Sequence, residues 1–322
     1  MISRAVVLAG LAVGIIVHEV TWPGVLVVAI IDRIGDTFFS PASVAALPRI
    51  VDDTQFEGAA AMTEARLYGA QLAGPSLGGI LYGLARSVPY FGDAASYGVS
   101  VLTSFAMRGD FRPAKTDMPR RGLWSEAFEG VRFMVRDDLL RAVAIQAPLI
   151  NFAFTGVLYT VILGMRHHGV AASVIGLTES GILAGGLLGA IVAARIQRRF
   201  TLQQLVVGLT AGGAVLMAVA AVLIPSPLVA APLSLSFLLA PAANAALVAV
   251  SLRRTPESMR GRVNNAFVQA AMGLAALAPV MSGVLVAHVS THWAMALFAV
   301  TLGVSAALAV SLRSLRGAEV VS

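Results

Sequence analysis

The sequence predicts an all-α membrane protein, a bundle of about ten transmembrane helices. Three observations carry that expectation. Of the 322 residues, 57% are apolar (AVILMFWYC) and only 12% charged, against about 45–50% and about 25% in a soluble domain. Mean hydropathy is +0.82, and the apolar residues gather in stretches of about 18–25, each able to cross a hydrocarbon core of roughly 30 Å. The stretches are continuous and do not alternate, which favours helices over barrel strands.

A window of about 19 residues places ten runs at 4–22, 24–47, 60–84, 89–107, 140–164, 172–194, 202–224, 228–251, 264–288 and 292–312. Proline, glycine or charge clusters punctuate every boundary. The first run is the weakest, because His18 and Glu19 shorten it. Basic residues then set the orientation. With Arg4 on the cytoplasmic side, 19 of the 23 lysines and arginines fall on that side. Only Arg86 and Arg166 fall outside, and Arg33 and Arg66 lie within helices. The positive-inside rule wants that asymmetry, and an odd helix count would scramble it. Both termini are therefore expected in the cytoplasm, in a multi-pass protein of the cytoplasmic membrane.

The longest polar connection divides the chain. Residues 1–107 form an expected four-helix bundle, 108–139 a cytoplasmic linker, and 140–322 a six-helix bundle. Within the linker, Trp124, Phe128, Val131 and Val135 recur at helical spacing. That predicts an amphipathic helix, lying in the inner interface or simply joining the two bundles.

Composition also excludes chemistry. The chain has no cysteine, so disulfides, thiolate metal sites and cysteine nucleophiles are out. Its one lysine, Lys115, lacks the glycine-rich approach of a phosphate-binding loop. No serine has a Gly-x-Ser-x-Gly setting, and His18-Glu19 lacks the second histidine of a zinc protease. His288 and His292 have metal-ligand spacing but no nearby acid. No enzyme activity, metal or cofactor is expected. The basic balance marks sidedness and not a nucleic-acid partner.

Two segments recur. Pro41-Ala42-Ser43-Val44-Ala45-Ala46-Leu47 answers Pro241-Ala242-Ala243-Asn244-Ala245-Ala246-Leu247, 200 residues on. Pro75, in Gly74-Pro75-Ser76-Leu77-Gly78-Gly79, answers Pro279 at an offset of 204. Three runs precede Pro241 after the central connection, whereas one precedes Pro41. The expectation is a six-plus-six architecture of twelve helices whose first two are missing here.

At these residues the chain resembles the major facilitator superfamily, particularly the bacterial exporters related to the enterobactin and multidrug branch. Pro41-Ala42 and Ala46-Leu47-Pro48 match a stretch closing that branch's fourth helix. Gly74, Pro75, Gly78 and Gly79 match a Gly-Pro-x-x-Gly-Gly antiporter motif in its fifth. The resemblance implies a major-facilitator-type bundle working by alternating access, with that motif as a conformational pivot. Two departures stand against it. The family's first cytoplasmic Gly…Asp-Arg loop has no counterpart, and Ser43 occupies a position where arginine often follows Pro-Ala.

Charges inside apolar runs cost on the order of 2.5–3.5 kcal/mol each on insertion scales, so they usually face a cavity or a partner. Asp32 and Asp36 share one helical face, and Arg33 can reach Asp36. These three, with the lone acids Asp93 and Glu179, are the candidates for proton coupling or substrate binding. Mutual Asp-Arg neutralisation is the equal alternative for the first three. Gly181, Gly185 and Gly189 form a small-residue stripe suited to helix packing.

The expected function is secondary active transport, a proton-coupled antiport exporting small amphipathic drug- or siderophore-like molecules. The expected partners are the lipid bilayer, a small-molecule substrate and protons, for a monomeric protein. A truncated, non-transporting remnant and the membrane subunit of an ATP-driven pump are the alternatives.

Overall fold

A computed structural model describes residues 2–35, 56–106, 123–256 and 259–312. Among them every regular element is helical. The chain forms two compact units, Met1–Asp117 and Met118–Ser322.

The first unit contains α1 (Ile2–Ile16), α2 (residues 22–35), α3 (Phe56–Leu84) and α4 (Val88–Ala106). On α1 the buried residues are Arg4, Leu8 and Ala12. A spacing of four keeps them on one stripe, which packs against α4. Arg4 meets Tyr97, whereas Ile15 and Tyr90 share a cavity at the other end. The two helices therefore run antiparallel. α3 also packs on α4 and carries Pro75 inside an unbroken helix.

The second unit is built around α6 (Asp138–His167). Asp137 starts it by accepting the backbone N–H groups of Leu139 and Leu140 at 2.9 and 3.0 Å, satisfying two otherwise orphaned donors. Around α6 stand α5 (Leu123–Arg136), α11 (Arg260–Ala275), α12 (Ala278–His288) and α13 (Thr291–Ser311). α8 (Leu202–Leu223) backs α13, and α7 (Ala172–Gln197) lies along α9 (Ala230–Phe237) and α10 (Ala240–Arg254).

Glycines set how closely these helices approach. A Cβ on Gly185 or Gly189 would collide with the carbonyl of Ser234 or Leu238, while one on Gly181 would only touch Ala230. The stripe is thus a packing surface, as its spacing indicated. Gly156 likewise makes room for the Phe298 ring.

Polar groups are satisfied internally, as a low-dielectric surrounding demands. Buried Gln146 on α6 donates to the Ser305 carbonyl at 3.0 Å and accepts from the Ser305 hydroxyl. Thr160 donates to Ser282 at 3.2 Å, which donates on to the Gly156 carbonyl at 2.9 Å. Among the described residues no buried side-chain nitrogen or oxygen lacks a partner. The outer faces, by contrast, expose large apolar side chains such as Trp22, Leu102, Val215 and Val222, a surface suited to lipid.

Two expectations change. The runs at 228–251 and 264–288 are each broken, between α9 and α10 and between α11 and α12. Pro241 and Pro279 sit in the first turn after each break, where a missing N–H costs nothing. Pro75, the sequence counterpart of Pro279, causes no such break.

The second change concerns the span count. Among the described residues six spans are long and apolar enough to cross a bilayer, not ten, and all six lie in the second unit. In the first unit α1 has 15 residues, about 22 Å at ~1.5 Å each, and the apolar stretch described in α3 is Leu72–Leu84. α4 is long enough but is diluted by Asp93, two tyrosines, three serines and a threonine.

Candidate functional site

The first unit brings charges from three helices together. Arg4 points from α1 to α2, and its Nε donates to Asp32 Oδ1 at 2.7 Å. Gly35, three residues beyond Asp32 on the same helical face, makes that approach possible. A Cβ there would stand 2.7 Å from Cδ of Arg4, so the arginine stem lies where a side chain is missing. The guanidinium carbon then sits 4.3 Å from the centre of the Tyr97 ring, within cation–π range. Asp93, one turn before Tyr97 on α4, interacts electrostatically with both Asp32 and Arg4. One predicted carboxylate thus pairs with the arginine, and a second lies within its electrostatic reach.

The arginine is only 6% exposed, and Asp32 is 24% exposed at its side chain. A buried guanidinium is costly unless paired, so this pair orders the unit as well as charging it. Chemically, two carboxylates around one fixed cation can hold or release a proton without leaving the cation uncompensated.

Arg4 and Tyr97 were missed by sequence reasoning. Its position makes Arg4 a flanking residue on the cytoplasmic side, but its phase with the buried Leu8 and Ala12 marks it as inward-facing. Asp32 pairs with Arg4 of another helix, whereas Arg33, its sequence neighbour, is exposed. Asp36 and the stretch Pro41-Ala42-Ser43-Val44-Ala45-Ala46-Leu47 lie outside the described residues.

The remaining candidates are not part of this cluster. Glu179 belongs to the second unit, half-buried on α7, with no ion-pair partner among the described residues. Gly74, Pro75, Gly78 and Gly79 follow one another along α3. A Cβ on Gly74 or Gly78 would meet no described atom within 4 Å.

The linker helix has a definite place. α5 docks on α11 and α6 within the second unit. Glu129 accepts from Arg262 at 2.7 Å, and Gly130 lets the Arg262 backbone come close. Met134 is buried, while Phe128, Val131 and Val135 stay exposed. Arg254, at the end of α10, also lies 3.7 Å from Asp137.

The Major Facilitator Superfamily profile matches residues 1–267, which takes in all of the first unit and the second as far as α11. The chain belongs to the major facilitator superfamily. Among curated proteins no match is found. As a superfamily member the protein is a multi-pass membrane protein and a secondary transporter. That fits a bilayer setting and a small-molecule substrate, and it fits the lack of enzyme chemistry expected from the sequence.

Proposed function

We propose that this transporter couples the export of small amphipathic molecules to proton entry, with Asp32 and Asp93 as the proton-carrying groups and Arg4 as their fixed counter-charge. The observation carrying the reading is the Arg4–Asp32 pair with Asp93 alongside, a charge cluster inside an apolar unit. Protonation of either carboxylate weakens its hold on Arg4, which gives the unit two charge states with different packing. A transporter coupled this way needs such a difference, because a ligand shifts an equilibrium only by its differential affinity.

The rest of the reading follows the superfamily. The two helical bundles, joined through residues 108–139, rock around a midplane site, and Gly74-Pro75 with Gly78 and Gly79 acts as the pivot. The basic residues favour cytoplasmic termini in the cell membrane, and the protein works as a monomer. Arg33, Asp36 and Glu179 remain candidates for substrate contact.

The test uses the full chain in proteoliposomes with an imposed pH gradient, a trapped pH dye and a panel of amphipathic probes beginning with ethidium. Probe movement should carry protons, and Asp32→Asn or Asp93→Asn should uncouple the two. Transport that ignores the gradient would remove the antiport claim.

A further inference from the structure

The first unit carries a second arrangement at the end opposite Arg4, about 16 Å away along α1 at ~1.5 Å per residue. α1 ends at Ile16, and the chain turns through His18, whose φ of 59° is left-handed. Arg86 sits in the short turn between α3 and α4. Ile15, His18, Val20, Tyr82, Arg86 and Tyr90 together line one open cavity of about 260 Å³.

The lining is chemically one-sided. Four of its six side chains end in N–H or O–H groups, and none is acidic. Among the described residues, the side chains of His18, Tyr82, Arg86 and Tyr90 make no hydrogen bond or ion pair. Glu19 follows His18 but does not line the cavity. Arginine offers five donors in a planar fork and no acceptor, a shape that fits carboxylate and phosphate oxygens. Ile15 and Val20 supply an apolar wall. Tyrosine and arginine also anchor helix ends at a membrane surface, but such anchors are distributed around a bundle. Here they converge on one volume.

We propose that this cavity binds the carboxylate or phosphate head of a small amphipathic anion, with Arg86 as the principal contact and the tyrosine hydroxyls as secondary donors. The volume lies just below the ~300–1,000 Å³ usual for small-molecule sites. It therefore holds a charged head and about one ring, with the rest of a larger ligand outside. The site is separate from the Arg4 cluster, and its test reads binding alone, so it stands or falls apart from proton coupling.

The experiment titrates the full chain, in phosphatidylcholine nanodiscs, with benzoate, inorganic phosphate and benzylamine by calorimetry. Benzoate or phosphate should bind saturably and benzylamine should not. Arg86→Gln should weaken anion binding roughly tenfold or more, the usual loss for a charge-assisted contact, and Tyr90→Phe should weaken it less. Should Arg86→Gln fail to fold, His18→Asn keeps a residue tolerant of left-handed φ and should also weaken binding. Competition by added phosphatidylglycerol would assign the anion to a lipid headgroup, and its absence to a soluble molecule. Either result keeps the site. Anion affinity untouched by these substitutions, equal binding of benzylamine, or no binding of either anion would overturn it.

Discussion

Glu129 of α5 and Arg262 of α11 stand 133 positions apart in sequence and meet at 2.7 Å. Both are partly exposed, at 46% and 28% of their side chains. Such a pair is worth about 0.2–1 kcal/mol, too little to hold a helix by itself. The stronger constraint is the next residue, Gly130, where any Cβ would press on the Arg262 backbone. Gly130→Ala should therefore cost more than Glu129→Gln, by roughly 1–3 kcal/mol of overpacking. Thermal unfolding in detergent, followed by tryptophan fluorescence, would rank the two. The reverse order would mean that charge and not fit holds α5.

The Arg4 cluster predicts a particular non-additivity. Asp32→Asn keeps Asp93 within electrostatic reach of Arg4. Removing both takes two described carboxylates from around a buried guanidinium, and breaking a buried pair costs about 3–5 kcal/mol. The double variant should thus lose more stability than the sum of the single ones, and replacing Arg4 by methionine in that background should restore part of it. Additive losses in denaturant midpoints would show that Asp93 does not share the arginine.

Glycine substitutions on α7 should separate cleanly. Gly185→Ala and Gly189→Ala drive a methyl group into a backbone carbonyl, Gly181→Ala makes an ordinary contact, and Gly186→Ala enters open space. The first two should lower the unfolding temperature sharply and the last two little, with Gly186→Ala adding helix propensity. Equal effects at all four would contradict the close α7–α9 packing.

Gly74→Ala and Gly78→Ala test the pivot from the opposite direction. Neither position crowds a described neighbour, so stability should be nearly unchanged. If these residues serve movement between states, probe transport should fall while unfolding temperature holds. Unchanged transport would leave the motif without a mechanical role.

Much of this architecture was legible in the sequence because length and hydropathy bear directly on bilayer thickness. Among the described residues a helix lies in part of each predicted range, six of the spans are long and apolar enough to cross a bilayer, and the α7 glycine stripe packs as its spacing indicated. Other features were hidden because they depend on what a residue meets and not on its own type. By type and position Arg4 is a topology marker, and only the α4 surface gives its phase with Leu8 and Ala12 a meaning. Spacing within one helix pairs Arg33 with Asp36, but it carries no sign that Asp32 meets Arg4 of another helix. The breaks at Pro241 and Pro279 were also obscured, since proline within an apolar run leaves hydropathy almost unchanged while removing a backbone donor. Pro75 illustrates why proline alone does not decide the matter, as it lies within the continuous helix α3.

The seating of α5 on α11 has a practical corollary for dissecting the molecule. A gene divided just ahead of Leu123 would hand that helix to the partner it contacts, whereas a cut after Arg136 would strip α11 of its cover. Co-produced fragments of the first kind are the better starting point for rebuilding activity from two polypeptides.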